Sequence, residues 1–172
     1  MTKKITVAVA ILVALAFACG VVFAEEGEKK KDEVKHDFIG AKRCKICHTK
    51  DNVYPTWEKT PHATAFAKLS AEQAKDEKCL ACHATGKTAK GDVLENVECE
   101  ACHGPGSDYK TKKIMEDREL AIANGLLIPD EKTCVKCHKA ELPKECGEHA
   151  KFEFAKVKDK GVHALKAKEA KK

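Results

Sequence analysis

One apolar stretch dominates the hydropathy pattern. Residues 5–24 carry no charge, follow Lys3 and Lys4, and stop at Glu25 and Glu26. A short basic start, an apolar run and the small-residue site Val22-Phe23-Ala24 predict an export signal cleaved after Ala24. The run is also long enough to persist as a membrane anchor, since about 18 or more apolar residues can span a bilayer. Cys19 offers a lipidated alternative, although Phe17 stands where a small residue is expected. Residues 1–24 are therefore read as a signal peptide, with an uncleaved anchor as the alternative. Residues 25–172 are read as a single domain with a Lys-rich C-terminal helix or tail.

Past residue 24 the apolar positions are short and scattered among Lys, Glu and Ala. Three Ala-rich segments have helical character: one starting at Thr60-Pro61, one over about 111–124 and one over about 152–170. Thr60 can cap the first, with Pro61 at its first position. Gly125 is a C-terminal stop for the second, and Gly104-Pro105-Gly106 breaks the chain. Strands are not expected. The predicted fold class is mainly α with extensive loops and little or no β. After residue 24 the aromatics are Phe38, Tyr54, Trp57, Phe66, Tyr109, Phe152 and Phe154. That is a thin supply of core, because large apolar side chains dominate burial energy. Something other than side chains must be buried.

The cysteines indicate what. Eight of the 10 Cys fall into four repeats of one pattern. These are Cys44-Lys-Ile-Cys47-His48, Cys79-Leu-Ala-Cys82-His83, Cys99-Glu-Ala-Cys102-His103 and Cys134-Val-Lys-Cys137-His138. C-x-x-C-H is the attachment signature for c-type haem. Two thiols on one helical turn reach the two vinyl groups of one porphyrin, and the next residue points its imidazole at the iron. Zinc ribbons use paired C-x-x-C units but need no His after each second Cys. Iron–sulfur sites use other spacings. Four covalently bound haems c are thus expected, one for roughly every 37 residues of the exported part, and they supply the missing core. The motifs start 35, 20 and 35 positions apart. Asp76-Glu77-Lys78-Cys79 echoes Asp130-Glu131-Lys132-Thr133-Cys134, a faint two-fold internal repeat.

Each iron has a sixth position. A second His there makes a low-spin electron-transfer centre; an open position lets small molecules bind. His36, His62, His149 and His163 lie outside the motifs. His62 follows a rigid helix start, and His163 falls late in the last helical segment. His36 and His149 are read equally well as solvated side chains. Met115 is a further candidate, since Met can ligate haem iron or merely pack on its face.

Several pieces carry a likeness. Ile39-Gly40-Ala41-Lys42-Arg43 before Cys44, then Trp57-Glu58-Lys59-Thr60-Pro61-His62-Ala63, then Cys99-Glu-Ala-Cys-His-Gly-Pro-Gly106, resemble the tetrahaem cytochrome c-554 family. The resemblance implies that His62 is the distal ligand of the third haem, held at Cys99 and Cys102. It implies that His163 serves the first haem, at Cys44 and Cys47, and that the second haem, at Cys79 and Cys82, is open. The fourth haem should take a His from the segment after Gly-Pro-Gly. No His stands there; Met115 falls close to that position, with His149 and His36 as rivals.

The formal charge is +5. Most of the excess sits in residues 151–172, which hold eight Lys against Glu153, Asp159 and Glu169. Haem propionates offset part of it, and the remainder suits an acidic redox partner and makes association salt-dependent. No recognition motif for nucleic acid is present. Cys146 is left without a motif and is read as an incidental thiol. The expected function is electron transfer between redox proteins, with quinol-linked partners in view, in the periplasm or another extracytoplasmic space. Reduction of nitric oxide or nitrite at an open second haem, and assembly into a cytochrome filament, are the alternatives.

Overall fold

A computed structural model describes residues 36–139, 143–147 and 152–164. The signal segment 1–24 with Cys19, His149, and the Lys-rich residues from 165 onward lie outside them.

The described chain is built from short helices and 3₁₀ turns joined by loops. The longest element is α1 (Ala41–His48). It is followed by α2 (Val53–Trp57), 3₁₀ turns at Pro61–Thr64, Phe66–Lys68 and Gln73–Lys75, and α3 (Glu77–His83). After the hairpin described below come α4 (Cys99–His103), α5 (Lys112–Met115), α6 (Arg118–Ala123) and α7 (Glu131–Val135). A 3₁₀ turn at Lys144–Cys146 and α8 (Phe154–Val157) complete the order. Among the described residues, no helix is long and apolar enough to cross a membrane.

The first three motifs share a local design: their helices end on the motif histidine. In the fourth, α7 stops at Val135, and His138 N still donates to Cys134 O at 2.9 Å. The two echoing sequences have one shared job. Asp76 caps α3 by accepting from Lys78 N, and Asp130 caps α7 by accepting from Thr133 N in a capping box.

The mainly α class with little β holds, and four finer expectations on elements are corrected. Strands do form: β1 (Ala84–Lys87) pairs antiparallel with β2 (Val93–Glu95). The turn between them closes through Thr88 N to Asp92 O at 2.9 Å. The segment at Thr60-Pro61 is a single 3₁₀ turn, and Thr60 Oγ1 donates backwards to Trp57 O rather than capping. The helix expected over 111–124 is split, because Asp117 turns extended and caps α6 by accepting from Leu120 N. The helix expected over 152–170 is reduced, within the described residues, to α8. Gly125 does follow α6 with φ 99°.

The protein core is small, as the composition implies. Ala41, Trp57, Ala65, Cys79, Leu80, Tyr109, Ala121 and Cys146 are its buried apolar members. Ile46 and Leu127, by contrast, are 72% and 52% exposed beside the first and third motifs.

One buried charged residue organises this core. Glu100, inside the third motif, is 2% exposed. Its carboxylate accepts from Ile39 N at 3.0 Å, Gly40 N at 2.7 Å and Gly106 N at 2.6 Å. Glu98 accepts from Ala41 N at 2.8 Å. The two glutamates thereby fasten α4 to the start of α1. The Gly-Pro-Gly loop passes so closely that a Cβ at Gly106 would lie 3.0 Å from Glu100 Oε1. Tyr109 pins the same loop by donating from its hydroxyl to Gly104 O at 2.6 Å.

Candidate functional site

The chemistry expected of each motif requires two thiols and an imidazole whose Nε2 is free for iron. In three motif histidines it is Nδ1 that the protein engages. His83 Nδ1 donates to Ala65 O at 2.8 Å, and His103 Nδ1 donates to Leu127 O at 3.1 Å. A carbonyl only accepts, so each ring must carry its proton on Nδ1 and leave Nε2 bare. His48 Nδ1 pairs with Asp51 Oδ2 at 2.8 Å, and Asp51 is itself held because its Oδ1 accepts from Val53 N at 3.2 Å. Partners of this kind fix the tautomer and orientation of metal-bound imidazoles.

Two histidines outside the motifs stand opposite motif histidines. The rings of His103 and His163 have centres 6.1 Å apart, and those of His62 and His138 are 5.8 Å apart. Two imidazoles on opposite sides of one metal, each with a metal–nitrogen bond of about 2 Å, hold their centres about 6 Å apart. Both pairs match that spacing. His163 is positioned by Ala164 N, which donates to Thr56 Oγ1 at 2.7 Å, while its own Nδ1 donates to Ala164 O at 2.9 Å. His62 is placed by the turn after Pro61, and its Nδ1 is buried with no hydrogen-bond partner. His138 also stacks on Phe152 at 4.5 Å. Burial pushes the imidazoles of both His62 and His103 below their ordinary value, so they stay neutral and able to ligate.

These pairings differ from those that the resemblance implies. His62 faces the fourth motif rather than the third, and His163 faces the third rather than the first. Met115 is placed differently too. It lines a cavity of about 230 Å³ together with Cys44, Cys47 and His48 of the first motif, not the fourth. α5 and the Gly-Pro-Gly loop carry Met115 there. Arg43, Lys110 and Lys112 also line this cavity. His36 is no freely solvated side chain: its Nδ1 donates to Asp108 Oδ2 at 2.6 Å, and its ring lies against Gly125.

The cysteines of different motifs come together. Cys44 and Cys99 are hydrogen-bonded through their side chains, and that bond, with burial, pushes the Cys99 thiol up. Burial and the neighbouring Cys82 push the Cys137 thiol up to about 12. Cys102 is raised by burial and by nearby Cys134. Cys47 is exposed. Among the described residues, no group of three or more His, Cys, Asp and Glu converges as a bare metal ion would require. The donors are arranged in motif-sized sets instead, and the cysteine pairs fit covalent haem attachment.

Cys146 is not an incidental thiol. It is joined to Cys79 by a disulfide, with Cα atoms 5.2 Å apart. The cause is local: the turn at Lys144–Cys146 docks on α3 and the turn before it, where Gln73 Nε2 donates to Glu145 O at 2.5 Å and Lys78 of α3 pairs with Glu145 at 3.6 Å. Glu100 was likewise not singled out from sequence. A charged residue between two motif cysteines looks like a solvated position, and only the return of residues 39–40 and 106 to its carboxylate reveals its burial.

The family described as cytochrome c554 and c-prime matches residues 43–104, which hold the first three motifs and His62. Cytochrome c-554 of Nitrosomonas europaea is 29% identical over 97 residues, covering 42% of this chain and 40% of that protein. The matched stretch thus spans less than half of the relative's length. The solved structure titled reduced state of cytochrome c554 from Nitrosomonas europaea is 24% identical. It covers 73% of this chain and 77% of that chain, with a TM-score of 0.48. The fourth motif and His163 lie beyond the matched family region.

Proposed function

We propose, from this relation to the tetrahaem cytochrome c-554 family, that the chain is an exported electron carrier. In this reading it relays electrons between redox partners in the periplasm or at its membrane face. The observation that carries the reading is the interleaving of the motif cysteines. Cys44 and Cys99 bond through their side chains, as do Cys137 and Cys82, and Cys102 lies within electrostatic reach of Cys134. This arranges the motifs first, third, fourth, second, each next to the one before. Four one-electron centres so close together suit transfer along a line rather than a single reaction.

Haem c, when bound, supplies an iron that exchanges one electron, and its potential is tuned by axial ligand, exposure and hydrogen bonding. The chain's own groups do the rest. Seven motif thiols, and Cys79 once released from its disulfide, would hold the four groups covalently. His48, His83 and His103 present Nε2 because their Nδ1 atoms are engaged. His163 and His62 stand where they can complete the third and fourth centres. Asp51 gives His48 a charged acceptor, whereas His83 and His103 have neutral carbonyls, so the ferric state of the first centre would be the more favoured. Arg43, Lys110 and Lys112 place positive charge where propionates of a first haem would be offset. The Lys excess after residue 151 favours an acidic partner, with association weakening as salt rises.

The test is a haem count by intact mass, followed by a redox titration with haem-resolved spin states. Four covalent haems, low-spin oxidised centres at the third and fourth motifs and reversible one-electron steps are expected. Fewer than four haems, or sustained consumption of nitrite or nitric oxide by the reduced protein, would overturn the reading.

A further inference from the structure

Cys146 and the second motif compete for one sulfur. A thioether to a haem vinyl and a disulfide to Cys146 both use Cys79 Sγ, and a cysteine sulfur cannot do both. The two sulfurs do not meet by chance of exposure. Cys79 is 1% exposed and Cys146 6%, and the segment carrying Cys146 is held at Glu145, whose carbonyl accepts from Gln73 in the turn before α3 and whose carboxylate pairs with Lys78 of α3. Asp76 meanwhile fixes the start of α3, so Cys79 is presented from a capped helix to a docked turn. In an oxidising compartment such a buried pair forms and persists. Among the described residues the Cys79–Cys146 bond is the only disulfide, and the other motif cysteines keep free thiols.

We propose that Cys146 is a guard thiol for the second haem site: it holds Cys79 as a disulfide in the haem-free chain and makes full attachment there dependent on a dithiol reductant. The proposal rests on the reading that the second motif takes a haem. The steps balance. A thiolate of the reductant attacks one sulfur of the Cys79–Cys146 bond, and its second thiol closes on the mixed disulfide. The reductant leaves as a disulfide, having given two electrons and two protons, and Cys79 and Cys146 become thiols. The Cys79 thiol then adds across a vinyl group, forming one C–S bond while its proton passes to the other vinyl carbon, with no net oxidation. Cys146 remains a thiol. Because a thioether does not undergo thiol exchange, this addition commits the site.

The consequence is selective. When dithiol is scarce, the second motif alone retains a block, with Cys82 still able to react. The test uses the full chain, exported in a host whose haem supply and dithiol supply can each be limited. Haem-free precursor is digested without reduction and mapped by mass spectrometry. Mature protein is scored for thioethers at Cys79 and Cys82, in wild type and in Cys146→Ser. The expected results are a Cys79–Cys146 cross-link in the precursor and its loss from mature protein. At limiting dithiol, wild type should show several-fold fewer Cys79 thioethers than Cys146→Ser, with the first, third and fourth motifs equal. A precursor with Cys79 free or bonded to Cys82 would overturn the proposal, and that map needs no variant. Equal Cys79 thioether yields in wild type and Cys146→Ser at every dithiol level would overturn it too. A mature protein with three haems and a permanent Cys79–Cys146 bond would instead overturn the tetrahaem reading on which it stands.

Discussion

Asp51 and Glu100 show how much single side chains decide in a molecule with little protein core. The Asp51 carboxylate faces the His48 imidazole at 2.8 Å, and with His48 as the proposed ligand of the first haem its negative charge would favour the ferric state. Asp51→Asn should therefore raise the midpoint potential of the first haem, by on the order of 60 mV, the size of a tenfold change for a one-electron couple. Potentiometry with haem-resolved spectra would read it, and the other three potentials should stay in place. Glu100 works through position rather than through iron. Glu100→Ala leaves Ile39, Gly40 and Gly106 N–H groups buried without an acceptor, and should cost about 3 kcal/mol or more in denaturant unfolding. The spacing alone marked the motif histidines as candidate ligands. The acceptors on their far sides were not legible, because Ala65 O and Leu127 O are backbone atoms, 18 and 24 positions from the histidines they hold, and carry no sequence mark.

At the scale of elements, the helices are too short to stand by propensity and depend on caps and covalent anchors. α7 has five residues and a capping box at Asp130. Asp130→Ala should cost about 1 kcal/mol, seen as a lower melting temperature, with loosening first at the fourth motif in hydrogen exchange. The faint echo between Asp76 and Asp130 was visible in the sequence as a repeat, and its physical content is a shared N-cap. The hairpin β1–β2 was missed for an understandable reason. Its strands span four and three residues with no run of β-branched side chains, and they pair only because the 3₁₀ turns and α4 hold their ends. The helix expected at Thr60-Pro61 failed similarly. Thr-Pro is a sound start signal, but Thr60 spends its hydroxyl on Trp57 O, and the chain leaves after one turn to present His62.

For the whole molecule, pH acts through buried imidazoles. His62 and His103 lie below their ordinary value mainly because burial penalises their charge. The unfolded chain therefore takes up protons near pH 6.5 while the folded one does not, so stability is intact above that value and falls as pH drops toward the folded values. Iron ligation acts in the same sense, because it requires neutral imidazole. Melting temperature should fall between pH 7.5 and 5.5, and less steeply in His62→Gln. Burial pushes Glu98 the other way, so the difference between wild type and variant, not the raw slope, is the quantity to compare. Sequence reading reached the class of molecule because four C-x-x-C-H units are covalent chemistry written locally. It did not reach which motif histidine lies nearest His62 or His163, since those ring contacts join residues 60 to 76 positions apart, His103 with His163 and His62 with His138.

The interleaving of the cysteines also bears on ancestry. By sequence the chain divides into two similar halves, the first two motifs and the last two. In space the third motif also neighbours the fourth within the second half, but first with third and second with fourth are pairs that take one member from each half. If the echo at Asp76 and Asp130 marks a duplication, a half-length ancestor could not have made those pairs within one chain. It would have had to work as an intertwined dimer, later fused. Cutting the present chain within the loop at 88–92 should accordingly give two fragments that hold their haems but regain the native potentials only when mixed.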